Sequence, residues 1–241
     1  MRRHLDPGGQ QFRHDRGAAD PRVTAALAAY QAGRGSEQAA LTALAAARLL
    51  VPVVAVLADG TAPDVGPDVG PDVGSAGDKN SEMVLPTLIG RDGRPAILAF
   101  TGLDALARWR PDARPVPAEA GRVWRAAVAG SCAVVIDVAG PVPLAVEGAR
   151  LAALAAGQPV PPAHEDPDVR AQVEAAVTAE PVIAGFTLAP GGEVDLAVRL
   201  RAASGDWQPA VSRVADSIAA RLAGRLRRGV ELSVARDPIG S

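Results

Sequence analysis

The stretch Gly157-Gln158-Pro159-Val160-Pro161-Pro162-Ala163 limits what this chain can fold into more than any other feature. Proline fixes its own φ and offers no N–H, so the segment can neither continue a helix nor enter the interior of a sheet, and it reads as a stiff linker. It divides the 241 residues into two units. Each unit opens with the same device, Asp20-Pro21 in one and Asp166-Pro167 in the other. An N-cap Asp accepts from the first free amides, and Pro at the first helical position loses no needed donor. The expected domains are 20–156 and 166–236, around a linker at 157–165. Residues 1–19, without apolar periodicity, are expected as a disordered tail, and 237–241 as a second tail.

The first unit reads as a helix over Val23–Ala32, ended at Gly33-Arg34-Gly35, and a second helix capped by Ser36 with Leu41, Leu44 and Leu49 on one face. The β-branched run Leu50–Leu57 is expected to be a strand buried on both faces, with Pro52 near its start. The tandem repeat Pro-Asp-Val-Gly at 63–74 is too short a period for a solenoid, so 61–78 is expected to be a flexible surface insertion. Its aspartates lack the close spacing and the bidentate acid of a calcium loop. Met83–Ile89 and Pro95–Phe100 read as strands joined across Arg91-Asp92-Gly93-Arg94, a strong hairpin signal. Thr101 is expected to cap a helix running to Trp109, with Asp104 in the capping-box position. A helix over Ala118–Ala129, strands at Ala133–Val138 and Leu144–Val146, and a helix over Gly148–Ala156 complete the unit.

The second unit reads as helix Asp168–Ala179, strand Val182–Leu188, a Gly191-Gly192 turn, strand Glu193–Arg201, helix Gln208–Arg228 and strand Val230–Ala235. Val211, Val214, Ala215, Ile218, Leu222 and Leu226 recur at helical spacing, with Arg225, Arg227 and Arg228 at the end that favours cations. This α-β-β-α-β order suggests a small sheet with both helices on one face. The fold class is therefore α/β (α+β): two small tandem units, each a mixed or antiparallel sheet packed with helices.

Hydrophobic residues make up 48% of the chain but aromatics only 3%, so the core must be built from Ala, Val and Leu. A net charge of −2 provides no field for nucleic acid or an anionic membrane. All but one of the basic residues are arginine, a bias attributed to GC-rich codons, with Lys79 the exception. The basic amino terminus has no apolar stretch behind it, as a secretory signal needs. The most apolar run, Leu49–Ala58, is ten residues long, against the roughly twenty of a spanning helix. The expected location is the cytoplasm.

Several segments together resemble actinobacterial SseB-family proteins. These are "LVPVVAVL" at 50–57, Lys79-Asn80-Ser81-Glu82-Met83 leading into a strand, "AILAFTGLDALARW" at Ala96–Trp109, the "PVP" around Val116, the Gln158–Pro162 linker and the Gly191-Gly192 hairpin. The similarity spans most of 20–236, and its most specific part is the Phe100-Thr101 step into a helix ending at Trp109. The family takes its name from an enhanced serine sensitivity phenotype, and the resemblance implies no catalytic or binding residues. A type III secretion translocon component of the same name is a different protein, whose long membrane-active helices have no counterpart here.

The remaining motifs carry little chemistry. Cys132, the single cysteine, precedes an apolar strand with no histidine in the same segment and is expected to be buried and structural. His164, Glu165, Asp166 and Asp168 are the densest set of potential metal ligands, yet Asp166 is expected to serve as a helix cap and no second histidine stands at helical spacing. Gly33-x-Gly35 follows a helix rather than a strand, and neither a P-loop nor a Gly-x-Ser-x-Gly elbow is present. The arginines of Arg221–Arg228 are read as a solvated face, with contact to an acidic partner as the alternative.

No catalytic, cofactor or metal residue is therefore assigned, and no cofactor is expected. Thr101, Asp104 and Trp109 form the candidate ligand or partner surface, because helix N-termini attract anions and Trp can stack on a ligand. Capping and helix anchoring are the plainer roles for these residues. The expected function is a non-catalytic binding or regulatory module with an unknown protein partner and no nucleic acid or membrane. The alternative is an enzyme, or a binding protein for an amino-acid-related small molecule, whose site does not show as a motif.

Overall fold

A computed structural model of the chain describes residues 12, 14–56, 82–84, 87–90, 93–202 and 207–236. The repeat at 63–74 and the tail at 237–241 lie outside the described residues. In chain order the elements are α1 (Pro21–Gln31), α2 (Glu37–Ala45), β1 (Arg48–Val56), β2 (Glu82–Val84), β3 (Thr87–Ile89), β4 (Pro95–Ala99), α3 (Leu103–Trp109), β5 (Arg114–Glu119), α4 (Ala120–Ala129), β6 (Ala133–Ile136), β7 (Leu144–Val146) and α5 (Gly148–Ala155). There follow α6 (Pro167–Thr178), β8 (Ile183–Ala189), β9 (Leu196–Ala202), α7 (Gln208–Leu222) and β10 (Val230–Arg236). The fold is α/β, and among the described residues the strands form three small sheets ordered β2-β1-β5, β3-β4-β6-β7 and β10-β9-β8.

Two compact units make up the chain: Met1–Ala25 with Ala43–Gln158, and Ala26–Thr42 with Pro159–Ser241. In the first, β1 is antiparallel to both β2 and β5. β4 pairs antiparallel with β3 across the Asp-Gly turn and parallel with β6. Met83–Ile89 is two strands rather than one, because Glu82–Val84 pairs with β1 whereas Thr87–Ile89 pairs with β4.

Leu50 and Phe100 exchange backbone hydrogen bonds of 2.7 and 2.8 Å, an isolated antiparallel bridge between β1 and the residue that follows β4. Pro52 explains why the bridge stays isolated. β1 begins at Arg48, so Pro52 lies in mid-strand rather than near its start. The next bonded pair along the bridge would be residues 52 and 98, and Pro52 has no N–H to give.

The cluster beneath contains Leu50, Leu98, Phe100, Ala105 and Leu106, with Trp109 packed against it. α4 buries Ala120, Val123, Trp124 and Ala127, the single stripe expected of an amphipathic helix. It starts two residues later than Ala118, because 114–119 pair with β1 as β5, a strand the proline pair Pro115 and Pro117 hides from sequence reading. Residues 15–19, expected in the disordered tail, are held in place: Arg48 binds Asp15 and the carbonyl of Ala18, and the amide of Leu103 donates to Gly17 O.

In the second unit, β9 pairs antiparallel with β8 and parallel with β10. Leu196, Val198 and Leu200 alternate inward and meet Val169 and Val173 of α6 and Val214, Ile218 and Leu222 of α7 in one core. Both helices therefore cover one face of the sheet. α7 ends at Leu222 instead of reaching Arg228, and β9 begins at Leu196 instead of Glu193. Tyr30 of α1 belongs to this unit; its hydroxyl donates to the carbonyls of Gly224 and Arg225, and the Arg227 guanidinium lies over its ring.

Candidate functional site

Thr101 stands at the C-terminal end of β4, and Asp137 at the C-terminal end of its parallel neighbour β6. In open α/β sheets this end is where ligands bind. Asp137 has a left-handed backbone, φ 49°, which Asp tolerates because its short side chain bonds locally. Its two carboxylate oxygens accept from the Thr101 amide at 2.8 Å and the Thr101 hydroxyl at 2.7 Å. The Thr101 carbonyl accepts from Arg48 at 3.0 Å. Gly140 closes the turn behind Asp137, where a Cβ would come within 2.9 Å of the Asp137 Cβ. Burial raises the Asp137 pKa, and the Thr101 bonds and the Arg108 charge only partly oppose it.

The expected capping box is therefore replaced. Gly102 is the N-cap of α3 and no side chain bonds it, while Thr101 is turned to a carboxylate 36 positions away. Asp104 is exposed in the first turn of α3. Trp109 is half-buried, its ring centroid 5.5 Å from that of Phe100, so it anchors the helix on the core. Thr101 and Trp109 share the α3 neighbourhood, but Thr101 is spent on Asp137. The aspartate itself escapes sequence reading, and its one local signal is its position directly after the buried strand Ala133–Ile136. Cys132 is half-buried, not buried, and its thiol donates to Gly130 O at 3.2 Å.

The second unit contains a cleft of about 300 Å³, at the small end of the range that holds ligands. Ser36, Gln38, His164, Gly191, Arg225 and Arg228 are among its lining residues. Asp166 caps α6 as expected, accepting from the amides of Asp168 at 2.8 Å and Val169 at 3.4 Å. The fully buried Asp166 carboxylate also accepts from Arg225 at 2.6 Å, and Glu37 accepts from the same guanidinium at 3.1 Å. Burial would lower the Arg225 pKa, but the two carboxylates more than offset it and raise it. Arg228 donates to Asp195 through its side chain at 2.9 Å and its amide at 2.8 Å.

Arg225 and Arg228 are therefore internal ion-pair partners and not a solvated face. The sequence conceals this because Glu37 lies 188 positions from Arg225. His164 Nε2 lies 3.4 Å from Glu165, and no group of three or more acids, histidines or cysteines gathers as metal ligands among the described residues.

No helix among the described residues is long and apolar enough to cross a membrane. Residues 23–153 match the model of a family described as the SseB protein N-terminal domain. No curated protein and no solved structure matches the chain.

Proposed function

The chain belongs to the SseB family, over the N-terminal domain that defines it, and from that premise we propose that it is a non-catalytic binding or regulatory module of the cytoplasm. The observation that carries this reading is the use made of buried polar groups. Glu37, Thr101, Asp137, Arg150, Asp166 and Asp195 are the buried polar residues among those described. Glu37 and Asp166 share Arg225, Thr101 and Asp137 bond each other, Asp195 holds Arg228, and Arg150 donates to Ala145 O. Groups for proton transfer or nucleophilic attack are set facing a substrate, with pKa values tuned for that task. Here the buried carboxylates face fixed donors of their own fold, an arrangement suited to a rigid scaffold that presents a surface.

A small-molecule reading, with an amino-acid-related ligand, has the second-unit cleft in its favour. One pair of experiments separates the two. Affinity capture with the full chain is expected to recover a stoichiometric protein partner. A thermal-shift screen of amino acids, serine included, is expected to move the melting temperature by less than about 1 °C. A rise of several degrees with one amino acid, and no protein partner, would establish the small-molecule reading instead.

A further inference from the structure

The helices cover one face of the β8-β9-β10 sheet, and the other face is open. The pairing register places three rows across it: Ala189, Ala197 and Glu231; Thr187, Arg199 and Ser233; Gly185, Arg201 and Ala235. Arg199, Arg201, Thr187, Ser233 and Ala235 are all exposed. On a solvated sheet face, directly opposed residues ordinarily pair opposite charges or large side chains. Each of these two arginines instead has only small, uncharged neighbours on both sides. Neither forms an ion pair among the described residues; Arg201 makes one long contact, 3.5 Å, to Ala184 O. Gly185 is small where the arginine needs room, since a Cβ there would lie 3.1 Å from Arg201 Nη2.

We propose that this open face, centred on Arg199 and Arg201, is a docking surface for an acidic helix of a partner protein. The proposal rests on the binding-module reading and names the partner's chemistry. Alternate residues of one strand stand roughly 7 Å apart. The Cβ atoms of residues i and i+4 on a helix are roughly 6 Å apart, close to the spacing of the two arginine positions, and each guanidinium can hold a carboxylate by two parallel bonds. The central strand has both edges paired, so a partner reaches these arginines across the face and not by strand addition. A second copy presenting the same face would set arginine against arginine. Single-stranded nucleic acid is stacked on aromatic rings by the proteins that bind it, and the three rows contain none. Glu231 at one end repels an acidic terminus and so orients the helix.

The test uses the isotopically labelled full chain and a synthetic Ala/Gln-based helical peptide with two Glu pairs at i and i+4. Amide shifts are expected at Gly185, Thr187, Arg199, Arg201 and Ser233, and affinity is expected to fall at least about tenfold when salt rises from roughly 50 to 200 mM. R199E/R201E is expected to abolish binding with a melting temperature within about 2 °C of wild type. R199Q/R201Q, which keeps the side-chain bulk, is expected to weaken binding at least about tenfold. Shifts that map elsewhere, undiminished binding by the glutamine variant, or a single-stranded oligonucleotide displacing the peptide from this face would each overturn the proposal. If R199E/R201E still captured the protein partner of the wild type, the face would be wrong and the module reading would stand. If wild type captured no partner and one amino acid stabilised it, the module reading would itself fail.

Discussion

Asp137 combines a left-handed backbone, burial and two hydrogen bonds to a single residue, and its substitutions separate these contributions. Asp137→Ala leaves the buried Thr101 amide without an acceptor and is expected to cost about 1–3 kcal/mol in urea denaturation. Asp137→Asn keeps an acceptor and tolerates the same φ, so its cost at neutral pH is expected to stay below about 1 kcal/mol. The pH dependence follows from burial, which raises the folded-state pKa above the ordinary 3.8. Below 3.8 the group is protonated both folded and unfolded and carries no penalty. As pH rises through the interval up to the folded value, the folded protein holds the extra proton, so wild type loses stability relative to Asp137→Asn. Above that interval the difference is constant. A wild-type advantage that grew with pH across the same interval would contradict this assignment.

Among the elements, β5 shows how a proline pattern protects a sheet. Leu50 directs its N–H and C=O toward Phe100, away from β5, so Leu50 and Pro117 form a non-bonded pair. The missing N–H groups of Pro117 and Pro115 therefore fall on the outer edge, where an incoming strand would need them. The double substitution Pro115→Val and Pro117→Val is expected to retain the fold and to promote concentration-dependent association, measured by light scattering. An unchanged monomeric fraction would show that the edge is protected by something else.

The same elements show what a sequence discloses. Helices with one apolar stripe, such as α4 and α7, and the Asp-Gly hairpin between β3 and β4 are legible because periodicity and turn chemistry are local. The Asp166 cap is legible for the same reason. β5 is concealed because its prolines are read as punctuation, and Thr101 misleads because a Thr three residues before an acid fits a capping box whether or not it serves one. Asp137 and the Arg225 partners depend on residues 36 to 188 positions away, which no local pattern encodes.

At the scale of the molecule, buried charge serves to join distant parts of the chain. The second unit is discontinuous, and Ala26–Thr42 enters it through Tyr30, Glu37 and Gln38, the last donating to Val160 O at 2.8 Å. A fragment of residues 159–241 alone would retain Arg225 but lose Glu37 and the Tyr30 ring. It is expected to lack a cooperative thermal transition, which circular dichroism would record, whereas co-expression with residues 20–45 is expected to restore one. The most direct measurement is a double-mutant cycle on Glu37→Gln and Arg225→Met in the full chain. Arg225→Met alone is expected to cost about 3–5 kcal/mol, because the buried Asp166 carboxylate loses its cation. The coupling energy between the two changes is expected to be about 1–3 kcal/mol, as for residues within one network. Costs that add to within about 0.3 kcal/mol would mean that the two residues do not act together, and would contradict the assignment of buried charge to holding this fold.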